Sequence, residues 1–448
     1  MMLELDQIHQ MIEQVLSCSQ ADQTEVIILH EESALTRFAR SRIHQNVCEW
    51  NTQVRVRAIV DQRIGTAATN DLSQAGLAKV TQCAWQMAQL SPRNTDFKSL
   101  PGPQPIPTTP GFVEATASFT PQQRADSVAS ICTLANTQGL TASGQFSITA
   151  RQIAVGNSCG VFACAPSTIS DLSTVILSED SSGYSGDTAM DVGAIDPERI
   201  GGEAVQRALS SHNPQGIAPG EYPVLLEPYA VAEIVSNLST LGFGALAYQD
   251  GYSFMSNRLG QQITGKEISI WDDGHDARGL VMPFDYEGLP KQRLDLIRDG
   301  IAAGVVYDSL MATKVGRQST GHAQLTPALY IQGPQAGNLF MQPGEAHREE
   351  LLSILNRGVL VTRFHYVSPV DPLQTVFTGM TRDGTFWIEN GRIQRPLRNL
   401  RFTQSFLQAF ERVRAISADT LLRQDTFGAV RVPAVILEKF NFSGVGEF

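Results

Sequence analysis

Metal or acid–base chemistry in this 448-residue sequence would have to be built from eight histidines, six cysteines and 45 acidic residues. A zinc hydrolase helix needs His-Glu-x-x-His, which sets two imidazoles on one face with a carboxylate base between them. HEESA at 30–34 opens that way and fails, because position 34 is alanine and the segment is rich in β-formers. His347 begins a similar run, but Leu351 and Leu352 stand where the second imidazole would be. STGHAQ at 319–324 holds Ser319, Thr320 and His322. Neighbours in one loop rarely align as nucleophile and base, so the segment is read first as a shaped loop. WDDGHDARG at 271–279 carries Asp272, Asp273 and Asp276 without the spacing of a calcium loop, and a solvated turn is the expectation. Ser319, His322, Asp272 and Asp273 are kept as an alternative non-metal or divergent-metal site. There is no phosphate-binding Gly-Lys-Ser/Thr loop. The cysteines, 18, 48, 83, 132, 159 and 164, form no Cys-x-x-Cys pair and are expected as reduced, buried thiols.

One further stretch, YAVAEIVSNLSTLGFGAL at 229–246, is apolar at helical spacing through Val231, Ile234, Val235, Leu238 and Leu241. Its single acid is Glu233, and it has no histidine, cysteine or basic residue. On residue chemistry it is a core helix.

The elements that would position these residues fall into an α+β pattern. An amphipathic helix at the start carries Leu3, Ile8, Ile12, Val15 and Leu16. TEVIILHE at 24–31 and TQVRVRAIV at 52–60 are β-branched runs that read as strands, and 72–90 as a helix. Thr120, Pro121 and Gln123 spell a capping box with proline at the first helical position, and Asp196-Pro197 starts another helix. Strands alternate through 144–178. Beyond the prolines at 214–223, glycine-spaced apolar runs predict a mostly antiparallel β domain with two helices, one in AHREELLSILNRG stopped by Gly358, the other at about 403–416. RDG at 298–300 and at 382–384 reads as a hairpin-like turn each time. The expected fold class is α+β, an N-terminal α/β region with mixed sheets and helices followed by this β-rich domain. The boundaries read as 1–99 and 120–215 for two N-terminal subdomains, 100–119 for a Pro-rich linker, and 216–448 for the C-terminal domain.

Bulk properties bound the function. The chain is 42% hydrophobic and 18% charged, with mean hydropathy −0.10. A net charge of −11 argues against direct nucleic-acid contact, which needs concentrated Lys and Arg. No apolar run reaches a membrane-spanning length, and the first residues lack the basic and apolar regions of a signal peptide, so a cytoplasmic protein without membrane association is expected.

The ordered set of segments resembles the TldD/PmbA family. FTGMTRDGTFWIENGRIQRPLRNLRFTQS at 377–405 is similar to its C-terminal Ile-Glu-Asn-Gly segment. The block 272–323, from DDGHDARG to STGHA, resembles the family's Asp-Asp, Glu-Gly and Ser-Thr-Gly block, and LFMQPGEAHREELLSILNRGVLVTRF at 339–364 resembles the next. VRVRAIVDQRIGTAATNDLS and VGNSCGVFA look like the two N-terminal signatures. The resemblance covers about 30–440.

The resemblance implies a metallopeptidase-related chain, with a historical link to modulation of DNA gyrase. TldD-type members carry His-Glu-x-x-x-His on a helix early in the C-terminal domain and a further cysteine ligand near the C-terminus; PmbA-type members, also called TldE, lack these ligands and pair with a TldD chain. Counting back from Ser253 and Asp272-Asp273 puts the motif at 236–241, where this sequence has Ser236, Asn237 and Leu241 in the ligand and base positions. No histidine falls between 213 and 274 and no cysteine follows Cys164. The resemblance therefore implies a PmbA/TldE-like branch, no metal and no catalytic residue in this chain alone, and zinc only in a TldD-like partner. The expected partners are a TldD-like metalloprotease chain, or self as a homodimer, and a peptide substrate in proteolysis. Two other readings stay open: a metallopeptidase or other hydrolase with divergent ligands, and a stand-alone peptide-binding protein.

Overall fold

The computed structural model describes residues 2–325 and 333–446. The chain opens with α1 (Leu5–Cys18), whose Ile8, Ile12 and Val15 are buried. Three strands follow, β1 (Gln23–Ala39), β2 (Arg42–Val60) and β3 (Arg63–Thr69), then α2 (Gln74–Leu90), capped by the Ser73 side chain. Residues 101–113 have no regular secondary structure, as four prolines between 103 and 110 dictate. A short turn of helix, α3 (Glu114–Ala117), leads to α4 (Pro121–Thr137), where the predicted box forms: Thr120 accepts from the Gln123 amide and Gln123 accepts from the Thr120 amide. Strands β4 (Thr141–Asn157), β5 (Phe162–Leu177) and β6 (Ser182–Ala189) and helix α5 (Pro197–Ser210), capped by Asp196, complete the region.

All six strands make one sheet in the order β3-β2-β1-β4-β5-β6, and every pairing in it is antiparallel. Residues 1–99 and 120–215 thus meet in the β1–β4 ladder, which runs from Glu25–Asn157 to Phe38–Gly144. The sequence reading placed mixed sheets in this half; the mixture lies in the other half. The pairs β1–β2, β2–β3, β4–β5 and β5–β6 join strands adjacent in the chain with no helix between them, and such hairpin-linked strands run antiparallel; α2, α3 and α4 lie only on the connection from β3 to β4.

The C-terminal region begins with β7 (Gly220–Leu226), α6 (Pro228–Leu238) and a π-helical turn at Ser239–Phe243, then α7 (Ala245–Gln249). Small strands β8 (Ile270–Asp272), β9 (Leu294–Arg298) and β10 (Ile301–Ala302) precede α8 (Ser309–Lys314), β11 (Asn338–Met341) and α9 (Arg348–Leu355). The long strands β12 (Gly358–Asp371), β13 (Val376–Glu389), β14 (Arg392–Pro396), β15 (Leu400–Ser405), β16 (Val413–Asp425) and β17 (Gly428–Val445) follow, with a one-turn helix α10 (Phe406–Ala409) between β15 and β16. These strands form one mixed sheet. Most pairs are antiparallel, but β11–β17 and β7–β12 are parallel. Helix α6 packs on β12, β16 and β17, and its apolar face joins the main core.

Four local expectations are corrected. The helix expected at about 403–416 is two strand segments around α10. Phe402, Phe406 and Phe410 repeat every four residues, but all three are wholly buried, and Phe402 sits in strand β15 between β13 and β17. Tertiary pairing overrides the periodicity. The RDG at 298–300 is the β9–β10 turn, with Asp299 and Gly300 at positive φ, whereas the RDG at 382–384 lies inside β13 at a bulge. Helix α9 ends at Asn356, whose φ of 56° supplies the left-handed stop; Gly358 already begins β12. Cys18 and Cys48 are exposed rather than buried, while all six thiols are free.

Candidate functional site

Helix α6, where the resemblance puts the metal motif, is built for packing. Pro228 fits its first turn, and Val231, Ile234, Val235 and Leu238 are buried. Ser236, Asn237 and Leu241 are each half-buried on the remaining side. In a regular α-helix, residues five apart are turned about 140° from one another. The π-helical turn at Ser239–Phe243 changes that, because i→i+5 bonding brings residues five apart toward one face. It is pinned by Ser239 Oγ donating to the Ala336 carbonyl at 3.0 Å and Ser253 Oγ donating to the Gly242 carbonyl at 2.7 Å. The Phe254 ring presses against Gly242, where a Cβ would come within 2.1 Å of it.

The side chains do not fit zinc. A serine hydroxyl, an amide and an isobutyl group occupy the three positions, and the carboxyl in contact with them is Glu233, which the Asn237 amide reaches at 3.3 Å. Burial pushes the Glu233 carboxyl up, opposed by the Asn237 amide, which donates to it at 3.3 Å; Asp425 pushes it further up. Among the described residues no group of three or more His, Cys, Asp or Glu side chains is arranged to hold a metal ion.

The alternative site behaves differently from its sequence reading. Asp272 is not in a solvated turn: it is fully buried at the end of β8. Its Oδ1 lies 2.9 Å from His322 Nε2, and its Oδ2 accepts from the Gly337 and Asn338 amides, both at 2.7 Å. The buried Lys291 ammonium lies 3.7 Å from Asp272 Oδ1 and donates to Asn338 Oδ1 at 2.8 Å. Burial alone would raise the Asp272 carboxyl, but Lys291, His322 and the Asn338 amide outweigh it and hold the group well below the usual carboxylate range. Burial lowers the His322 imidazole despite Asp272. A carboxylate cannot donate, so Nε2 carries the proton.

Thr320, not Ser319, completes the line, with Oγ1 2.9 Å from His322 Nδ1. Thr320-His322-Asp272 has the order of a catalytic relay. Yet Thr320 Oγ1 is also bonded to the amide and carbonyl of Tyr307, and His322 is fully buried. Ser319 Oγ bonds to the Tyr307 carbonyl and the Gly321 amide. Asp273 accepts from the His275 amide and stays outside the network. What the arrangement does is tie β8, β11 and the 319–324 loop together.

Two clusters at the junction of the two regions escaped the sequence reading. In one, Arg57 on β2 donates to Glu25 on β1 at 2.7 Å and to Glu287 at 3.2 Å, with Asp285 and Asp308 close by. Burial raises Glu25 to about 7, against the pull of Arg57, and raises Asp308 to about 6. Burial and then Glu287 raise Asp285 as well, although three backbone amides donate to it. In the other, Arg207 on α5 donates to Glu227, the N-cap of α6, at 2.8 Å. Contacts across 230 and 20 residues leave no short-range signal in the sequence.

An α+β protein of two sheets, with a packing helix, a π-turn and a buried Asp-His-Lys network, is the class this geometry defines. Comparison with known proteins gives the family. Residues 219–444, half of the chain, match the model of the PmbA/TldA metallopeptidase C-terminal domain, and residues 24–88 match domain 1 of the same metallopeptidases. The chain belongs to the PmbA/TldD family. It is 25% identical over 399 residues to the metalloprotease PmbA of Escherichia coli O157:H7, covering 85% of this chain and 83% of that protein. It is 24% identical over 217 residues to a metalloprotease TldD homologue of Haemophilus influenzae, covering 48% of this chain and 44% of that one. The crystal structure of TldE from Thermococcus kodakarensis superposes with a TM-score of 0.89 at 18% identity, over 98% of this chain and all of that one, which is a likeness of fold.

Proposed function

We propose that this chain is a PmbA/TldE-type subunit that assembles with a TldD-like metalloprotease chain and acts in peptide processing or degradation, with zinc held by the partner alone. The observation that carries the reading is the content of the motif helix. On the alignment the resemblance implies, Ser236, Asn237 and Leu241 stand at the ligand and base positions, along a helix with a fully buried packing face and the π-turn that follows it. A helix kept for its fold while its ligands are gone suits a subunit that completes a chamber around another chain's site. The protein then works in the cytoplasm, on peptides, without direct contact to nucleic acid or membrane. Among the described residues no helix is long and apolar enough to cross a membrane.

Co-expression with a TldD-like chain from the same genome tests this. A heteromeric peak on size exclusion is expected, with peptide hydrolysis that chelator abolishes and zinc that follows the partner. Absence of any complex overturns the reading, and a homodimer alone replaces it with self-association. Stoichiometric zinc in the isolated chain with chelator-sensitive hydrolysis establishes the divergent-ligand hydrolase instead.

A further inference from the structure

Strand β5 has an unpaired edge inside a cavity. It pairs with β4 along its whole length, but β6 joins its other side only from Ser170 onward. Ahead of Ser170, the Thr168 amide donates off that edge to the Gly111 carbonyl at 2.9 Å. Main-chain groups two residues apart in a strand point the same way, so Pro166, Cys164 and Phe162 face this edge as well. Proline at 166 fits that phase, since a residue facing outward owes the β4 ladder no N–H. The N–H and C=O of Phe162 and Cys164 and the carbonyl of Pro166 have no partner among the described residues.

Residues 162–166 line a cavity of about 500 Å³, inside the range of ligand sites. Residues 106–112 of the Pro-rich segment form its far wall, and they meet the strand at the Thr168–Gly111 bond. Leu5 of α1, Ile106, Phe112, Phe162, Pro283 and Phe284 supply apolar surface. No Asp, Glu, Lys, Arg or His lines the cavity. The one ionisable group in the lining is the Cys164 thiol, and burial pushes it up, so it stays neutral.

A row of outward N–H and C=O groups is complementary to the backbone of another extended segment, the mode of strand addition to a sheet edge. The far wall limits what that segment belongs to. It closes the slot on the side where a folded partner would carry its next strand, so the slot suits a single isolated strand. Pro107 and Pro110 in that wall have no N–H to compete for the carbonyls of the strand. The uncharged lining suits uncharged side chains.

We propose that this slot binds an extended, uncharged peptide segment as an added strand on β5, with its backbone bonded to Phe162, Cys164 and the Pro166 carbonyl and its side chains on the apolar walls. The assignment rests on the peptide-processing reading above and gives this subunit a hold on substrate away from the α6 positions.

The test uses the full chain alone and acetyl-Val-Ser-Val-Ser-Val amide, measured by calorimetric titration and by hydrogen exchange of residues 162–166. The peptide is expected to bind and to slow exchange of the Phe162 and Cys164 amides. The same peptide N-methylated at every residue, and acetyl-Lys-Ser-Lys-Ser-Lys amide, are each expected to bind at least tenfold more weakly. Cys164→Pro removes one outward N–H and is expected to weaken the valine peptide at least tenfold. If its melting profile departs from that of the wild type, Ile106→Lys, which sets a charge in the slot, decides instead with the same expected loss. No binding, equal binding of the N-methylated peptide, or unchanged exchange at Phe162 and Cys164 each overturns the site, as does indifference to the deciding variant. Equal binding of the lysine peptide overturns the preference for uncharged segments. Slow exchange of these two amides in a complex with a TldD-like chain, with no peptide added, gives the edge to that partner and overturns the peptide assignment. Peptide binding is read on the isolated chain, so its failure leaves complex formation on size exclusion untouched.

Discussion

At the scale of single residues, the most consequential finding is that Asp272 and His322 meet inside the protein. They are 50 residues apart in the chain, and both lie in segments that looked like loops. The Asp272 carboxylate has charged and amide partners on both oxygens, so removing it strands Lys291 and two backbone amides in a dry interior. Asp272→Ala is expected to cost about 3–5 kcal/mol, read as a lower denaturant midpoint at unchanged slope. The acid response follows from the same partners. A carboxyl held below its unfolded value contributes stability that is present above the unfolded value and lost only as pH falls through the folded one. The Asp272 contribution therefore fades as pH falls below the ordinary carboxylate range and is gone only in strong acid. Asp272→Asn should remove that acid-side component from the pH dependence of unfolding. Ser319 gives the contrast: its hydroxyl bonds only to local backbone, so Ser319→Ala is expected to cost about 1 kcal/mol and leave peptide hydrolysis by a complex unchanged.

At the scale of elements, α6 and its π-turn divide what the sequence could tell from what it could not. The 3.6-residue spacing of Val231, Ile234, Val235 and Leu238 was enough to predict the helix and its buried face. The π-turn was not legible, because it depends on Ser253, Phe254 and the Ala336 carbonyl, which arrive from later segments. Gly242→Ala would drive a Cβ into the Phe254 ring, a cost of about 1–3 kcal/mol by overpacking. Ser236→Ala, on the half-buried side, should stay within about 0.5 kcal/mol, and thermal melts of the two variants separate the cases. Capping signals were equally readable: Thr120, Asp196 and their proline neighbours each start a helix where the residue types require it. The segment around Phe402, Phe406 and Phe410 was misread for the opposite reason. Three phenylalanines at helical spacing bury as well from a strand, a single turn and its end as from one helix, and pairing with β13 and β17 decided between them.

At the scale of the molecule, the sequence divided the chain near residue 216 but could not say how its halves hold together, because every tie across the junction is long-range. The Glu25–Arg57–Glu287 bridge, with Asp285 and Asp308 beside it, is the tie with a readable pH dependence. Glu25 and Glu287 share one guanidinium, with Asp285 and Asp308 buried close by, so the folded protein keeps protons that the unfolded chain has released. Burial raises Glu25 to about 7 in the folded protein, against an ordinary 4.5, and Asp308 to about 6, against 3.8. Between those values the native state binds more protons than the unfolded state, and stability falls as pH rises. The expected outcome is a melting temperature that declines by several degrees from pH 5 to pH 8. Glu25→Gln removes one proton uptake while leaving Arg57 its contact to Glu287 at 3.2 Å, so the variant should lose part of that decline and gain on the wild type at pH 8. A slope unchanged by Glu25→Gln would mean that Glu25 is ionised in the folded protein across this range and overturn its part in the decline.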